Sequence, residues 1–169
     1  MRQDRAAPEP YGGDFFAWTQ HQAELLRTLE RWRADLPPDL DLGQIAEEIE
    51  DLGKAELHSV TSLIRQILGH LIKAVSDPQA YPLSHWRTKA TTFHLDMLDR
   101  YAPSMRQLIP MQKLWQGALK LADAALREHG AALAPDLPAE CPFAVTEIVA
   151  ADFSFDDAVA RLAAAQPAA

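Results

Sequence analysis

Cysteine occurs once in this chain, at Cys141, so no internal disulfide can form and no zinc site built on several thiolates is available. A reducing cytoplasm is the compartment this composition fits. Glycine is scarce as well, and Gly12-Gly13 lacks the spacing of a phosphate-cradling loop, so common mononucleotide motifs are missing. Nowhere do ~18 apolar residues run uninterrupted, and Met1 to Pro10 carries charges and prolines instead of the apolar core of a secretion signal. The expectation is a protein that neither crosses a membrane nor is exported. Positive charge is also in deficit: 16 Lys and Arg face 24 Asp and Glu, for a formal net charge of -8. Phosphate backbones and anionic lipid surfaces are on average repelled, so neither nucleic acid nor membrane is an expected partner.

Other absences concern chemistry. The six histidines occur in no H-x-x-x-H, H-E-x-x-H or E-x-x-H spacing, the patterns that set two ligands on one helical face, so no metal and no cofactor is called for. No Ser-His-Asp arrangement can be argued, and Cys141 stands between Glu140 and Pro142 without a placed base. The chain leans away from being an enzyme. Strand alternation and fixed-period repeats are missing too.

What is present is helical periodicity, with 48% hydrophobic residues to fill a core. A first helix should start at an Asp14 N-cap and run to about Arg33, with Phe15, Trp18, Gln22, Leu25, Leu26 and Leu29 on its buried face. Leu36-Pro37-Pro38-Asp39 breaks it. Asp41 with Gln44 then reads as a capping box opening a long helix to about Ser76, where Asp77-Pro78 ends it. Its stripe comprises Ile45, Ile49, Leu52, Val60, Leu63, Ile67 and Leu71, widened by Leu57, Ile64, Leu68 and Ile72. A third helix should run from Ser84 to Tyr101. A fourth should follow from a Ser104/Gln107 capping box to His129-Gly130, with Pro110 as a kink or restart. Two short helices are expected at Phe143 to Ala150 and Ser154 to Ala164. The architecture read from this is all-α, an antiparallel bundle of about four main helices plus short C-terminal ones. Residues 1–10 are expected as a disordered tail, 11–164 as a single helical domain and 165–169 as a frayed end.

Three polar side chains fall inside the apolar stripes: Gln22 on the first helix, Glu56 and His70 on the second. Buried polar groups need partners, and an unpaired buried carboxylate costs several kcal/mol or shifts its pKa. Glu56 and His70 stand about 21 Å apart along one helix, so they cannot form one site. His70 has Trp18, Gln22, Trp86 and His94 as candidate partners. A satisfied structural network is the favoured reading, and a ligand pocket lined by these residues is the alternative. The run Glu47-Glu48-Ile49-Glu50-Asp51 supplies the E-x-x-E half of the magnesium site of all-helical nucleotide pyrophosphatases. The E-x-x-D half is missing downstream, so Glu47, Glu48, Glu50 and Asp51 read as a solvated helix face, suited to a basic partner. Arg65, His70 and Lys73 toward the far end of that helix match the macrodipole. Of Trp18, Trp32, Trp86 and Trp115, most should be core, whereas an exposed Trp32 would point to a partner surface.

The chain from Tyr11 to about Phe153 resembles the bacterial family catalogued as domain of unknown function 29. The likeness rests on Asp14-Phe15 with Trp18, Gln22, Leu25 and Leu26, then on Ile45 with the acidic run through Leu52-Gly53. His70-Leu71 with Lys73, Ser84 with Trp86, Pro138 with Cys141-Pro142-Phe143, and Asp152-Phe153 follow in family order. His94 stands where the family tends to carry arginine. The resemblance implies a helical fold and no activity. The leading functional expectation is a non-catalytic module that binds another protein or self-associates. The alternative is a small-ligand or metal-binding protein, or an enzyme, with a pocket around Gln22, His70 and Trp86.

Overall fold

The computed structural model describes residues 13–33, 35–37 and 39–164, and the expected tails at 1–10 and 165–169 lie outside them. The fold is all-α. The elements are α1 (Phe15–Trp32), α2 (Leu42–Ser76), α3 (Leu83–Leu98), a 3-10 helix (Pro103–Leu108), α4 (Met111–Glu128), α5 (Val145–Ile148) and α6 (Phe155–Ala164). Two compact units emerge. The first holds the described residues up to His58 together with Ala102–Met105, and the second holds Ser59–Tyr101 and the described residues from Arg106 on.

In the first unit, Asp14 caps α1 by accepting the Ala17 N–H at 2.8 Å. Its other oxygen accepts the Ser104 backbone N–H at 2.9 Å, while the Ser104 hydroxyl donates to the capping oxygen at 2.6 Å. Burial works against the Asp14 charge, but these bonds together hold its carboxyl below the ordinary range. The expected capping box at Ser104 is therefore not formed. Its hydroxyl is engaged with Asp14, and the following residues make a 3-10 helix that stops ahead of Pro110.

α1 and the first half of α2 form an antiparallel hairpin, as Thr19 meets Gly53, Arg27 pairs with Glu50 and Glu30 reaches Gly43. The face that α1 buries differs from the expected stripe. Phe16, Thr19 and Ala23 are inside, whereas Leu25 and Leu29 are 48% and 37% exposed. On α2 the buried positions are Leu42, Ala46 and Gly53, while Ile45 and Leu52 are exposed. Small residues explain the rotation. A Cβ on Gly53 would stand 2.1 Å from the Thr19 Oγ1, an approach only glycine permits. Thr19 tolerates full burial because its hydroxyl donates to the Phe16 carbonyl at 2.8 Å.

In the second unit α3 runs antiparallel to the rest of α2: His70 stacks on Phe93 and Lys73 lies over Trp86. α4 runs parallel to α2, with Arg65 against Gly117 and Lys73 level with Ala125. The core contains Val60, Ile64, Ile67, Leu68, Leu71 and Ile72 from α2, Met97 from α3, and Trp115, Ala118 and Leu126 from α4. Trp115 is wholly buried, and its Nε1–H donates to the Pro138 carbonyl at 2.9 Å, fastening the loop that follows α4. Gly130 at φ +73° ends α4, letting the Ala131 N–H return to the Leu126 carbonyl at 3.0 Å. α6 joins α3 through Arg87 and Asp156 at 2.8 Å.

Candidate functional site

The second half of α2 carries Arg65, Gly69 and Lys73 at intervals of four, which puts them in one row along the helix. Between the two long cations Gly69 offers no side chain, and α4 answers with Ala122 and Ala125. The result is a cleft of about 220 Å³ above Gly69, also bordered by Gln66, His70 and Leu121. A Cβ added at Gly69 would meet no atom within 4 Å. The space is built by the sequence and filled by nothing of its own.

His70 is only 9% exposed, and its Nδ1 is buried without a hydrogen-bond partner. Burial pushes its pKa down to about 4, and the positive charges of Lys73, His85 and Lys89 push the same way. It is neutral at pH 7. Arg65 has a buried Nε that is likewise unpartnered, and its Nη2 donates to the Ser62 Oγ at 3.4 Å. Lys73 is half-buried, with its pKa lowered by that burial, and its ammonium stands 5.2 Å from the centre of the Trp86 ring.

A larger hollow of about 430 Å³ shares Lys73 and Ala125 with this cleft and is bordered by Asp77, Tyr81, His85, Trp86 and His129. Tyr81 is fully exposed, and His129 spends its Nδ1 on the Ala125 carbonyl at 3.0 Å. A third hollow of about 280 Å³ lies between Phe143, Phe153 and Arg161. The Arg161 guanidinium is already engaged there by Glu147 and by the Pro142 carbonyl.

The residues singled out from the sequence are thus distributed. Trp18, Gln22 and Glu56 belong to the first unit, and His70, Trp86 and His94 to the second. Gln22 and Glu56 are partly exposed, contrary to the expected burial, because α1 and α2 turn their small-residue faces inward. His70 and Trp86 border neighbouring hollows that share Lys73. His94 is buried elsewhere, stacked 4.9 Å from Phe153 with its Nε2 unpartnered. The acidic run divides: Glu47 and Glu48 are exposed, whereas Glu50 is tied to Arg27 and Lys54, and Asp51 to Lys54 at 3.0 Å. Arg65 and Gly69 were missed as site residues; the signal was their spacing with Lys73, which a dipole reading absorbed. Cys141 points its thiol at the Phe143 carbonyl at 3.4 Å, and burial raises its pKa, which makes it a poor nucleophile. Among the described residues, no three of His, Cys, Asp and Glu gather closely enough to hold an ion.

The second unit of this all-helical protein thus presents a row of cations over an open cleft. The chain belongs to the family described as Domain of unknown function DUF29, whose model matches residues 11–154. Among solved structures it is similar to an alpha-helical protein of unknown function from Rhodospirillum rubrum. The two are 42% identical with a TM-score of 0.88, over 91% of this chain and 98% of that one. No curated protein matches.

Proposed function

We propose that this chain is a non-catalytic interaction module that self-associates through the outer face of its α1–α2 hairpin. One observation carries the reading: Leu25, Leu29 and Trp32 on α1, with Ile45 and Leu52 on α2, are all exposed, Trp32 by 80%. At about 100° per residue, these positions lie about 115° from the line joining the two helices, and in an antiparallel pair both stripes turn to the same side. That side of α1 carries no charged residue between Trp18 and Trp32 in its row Trp18, Gln22, Leu25, Leu29, Trp32. Together the five side chains offer roughly 500 Å² of apolar surface, at the upper end for the largest patch of a monomer. This approaches the ~800 Å² per partner of a standard interface.

A hairpin with one mainly apolar side, interrupted by Gln22 and Glu56, is half of a four-helix bundle, and a two-fold copy of itself completes it with a self-complementary face. That geometry favours a second copy as the occupant. The setting proposed is a reducing cytoplasm, as the lone Cys141 permits. No helix among the described residues is long and apolar enough to cross a membrane. Light scattering on the purified chain tests the reading. The expected mass is twice 18.8 kDa, falling to the single-chain mass in a Trp32→Ser/Leu52→Ser variant whose helicity is unchanged. A single-chain mass for the unaltered protein at every concentration, or a dimer indifferent to both substitutions, would overturn it.

A further inference from the structure

We infer that the cleft above Gly69 binds the phosphate of a small phosphorylated molecule, whose flat, uncharged or amine-bearing remainder rests in the hollow beside Trp86. Acidic residues outnumber basic ones 24 to 16, yet among the described residues neither Arg65 nor Lys73 has a carboxylate partner in an ion pair. Both are at least partly withdrawn from water. Cations taken out of water without a counter-ion are unfavourable, and an anion set between them repairs the deficit. Every ionisable group bordering the smaller cleft is a cation or a histidine: Arg65 and Lys73 one turn either side of Gly69, and His70.

A second observation is independent of charge. His70 is nine-tenths buried with an unsatisfied Nδ1, and beside it the position above Gly69 is open although the residue itself is buried. Buried polar atoms without partners are rare in native proteins, and here the two residues that carry His70 Nδ1 and Arg65 Nε border one cleft. Guanidinium, ammonium and the Gln66 amide are donors suited to phosphate oxygens.

The shape of the rest of the ligand follows from the adjoining hollow. Its volume of about 430 Å³ is that of a small-molecule site, with the Trp86 ring as an apolar wall. Asp77 is the one carboxylate among its lining residues and offers acceptor oxygens to an amine there. A single phosphate on a flat, neutral or amine-bearing body fits that distribution.

Isothermal titration with inorganic phosphate and with phenyl phosphate, at constant ionic strength, tests the inference. Phenyl phosphate is expected to bind more tightly than inorganic phosphate. Arg65→Met and Lys73→Met should each weaken both by roughly tenfold or more, the usual cost of a lost charged hydrogen bond. Gly69→Leu, which fills the cleft without removing a charge, should abolish binding of both. Variants that melt cooperatively at or above the parent temperature qualify for comparison; Ala125→Leu, which fills the cleft from the α4 side, is the substitute if Gly69→Leu does not. Absence of heat with both probes would overturn the inference. So would binding that survives the filled cleft or the loss of both cations, or phenyl phosphate no tighter than phosphate.

Discussion

Acidification from about pH 7 to about pH 5 should cost the fold about 2 kcal/mol through His70 alone. In the folded protein His70 protonates only near pH 4, because it is buried and faces the positive charges of Lys73, His85 and Lys89; its ordinary value is 6.5. Between these values the unfolded chain binds a proton that the folded chain does not. Stability therefore rises with pH across that window: it is fully present above 6.5 and is lost progressively as the pH falls toward 4. At ~1.4 kcal/mol per pH unit the loss reaches about 2 kcal/mol at pH 5 and about 3 kcal/mol near pH 4. With only 9% of the residue exposed, solvent screening does little to reduce this. The assay is urea unfolding over a pH series for the parent and for His70→Gln. Carboxylates and the other histidines are common to both, so the difference between the curves isolates His70. The parent should lose about 2 kcal/mol more than the variant between pH 7 and 5. Parallel curves would refute the argument that burial and neighbouring cations hold this imidazole neutral.

Two glycines of α2 should respond oppositely to alanine. Gly53→Ala places a Cβ 2.1 Å from Thr19 Oγ1 and should destabilise by about 1–3 kcal/mol, whereas Gly69→Ala meets nothing within 4 Å and should stabilise by about 0.5–1 kcal/mol; urea midpoints measure both. Asp14→Ala removes the α1 cap and both bonds to Ser104, for a loss of about 1–2 kcal/mol at neutral pH that shrinks as the pH falls below about 3.8, where the unfolded carboxyl takes up a proton before the folded one does. Trp115→Phe leaves the Pro138 carbonyl without its 2.9 Å donor and should cost about 1–3 kcal/mol, with earlier proteolysis between Ala131 and Pro142 as a second readout.

The boundaries of the fold were legible because local chemistry sets them. Asp14 and Asp41 cap where their side chains reach the Ala17 and Gln44 amides, Pro110 restarts a helix, and Gly130 closes α4. The inward faces of the hairpin were less legible. An apolar stripe marks where a helix wants to be covered, and Leu25, Leu29, Ile45 and Leu52 mark it well, but the helices meet at Thr19, Ala23, Ala46 and Gly53. Close approach between small residues leaves no apolar periodicity for a sequence to display. Gln22 and Glu56 were misjudged for the same reason: they lie in the stripe, and the stripe faces out. His70 was placed in the interior by its neighbours Ile67, Leu71 and Ala74, all of which are buried. The cleft itself was hidden because it depends on what α4 lacks at Ala122 and Ala125, and no single helix carries that information.

The most direct test of the central claim is the quenching of Trp32 by acrylamide as protein concentration rises, taken as the difference between the parent and Trp32→Phe. At 80% exposure this indole is open to quencher in the single chain and becomes shielded if the hairpin face is the contact. Quenching is expected to fall as mass doubles. Quenching that stays constant across a doubling of mass, or a mass that never doubles, would contradict it.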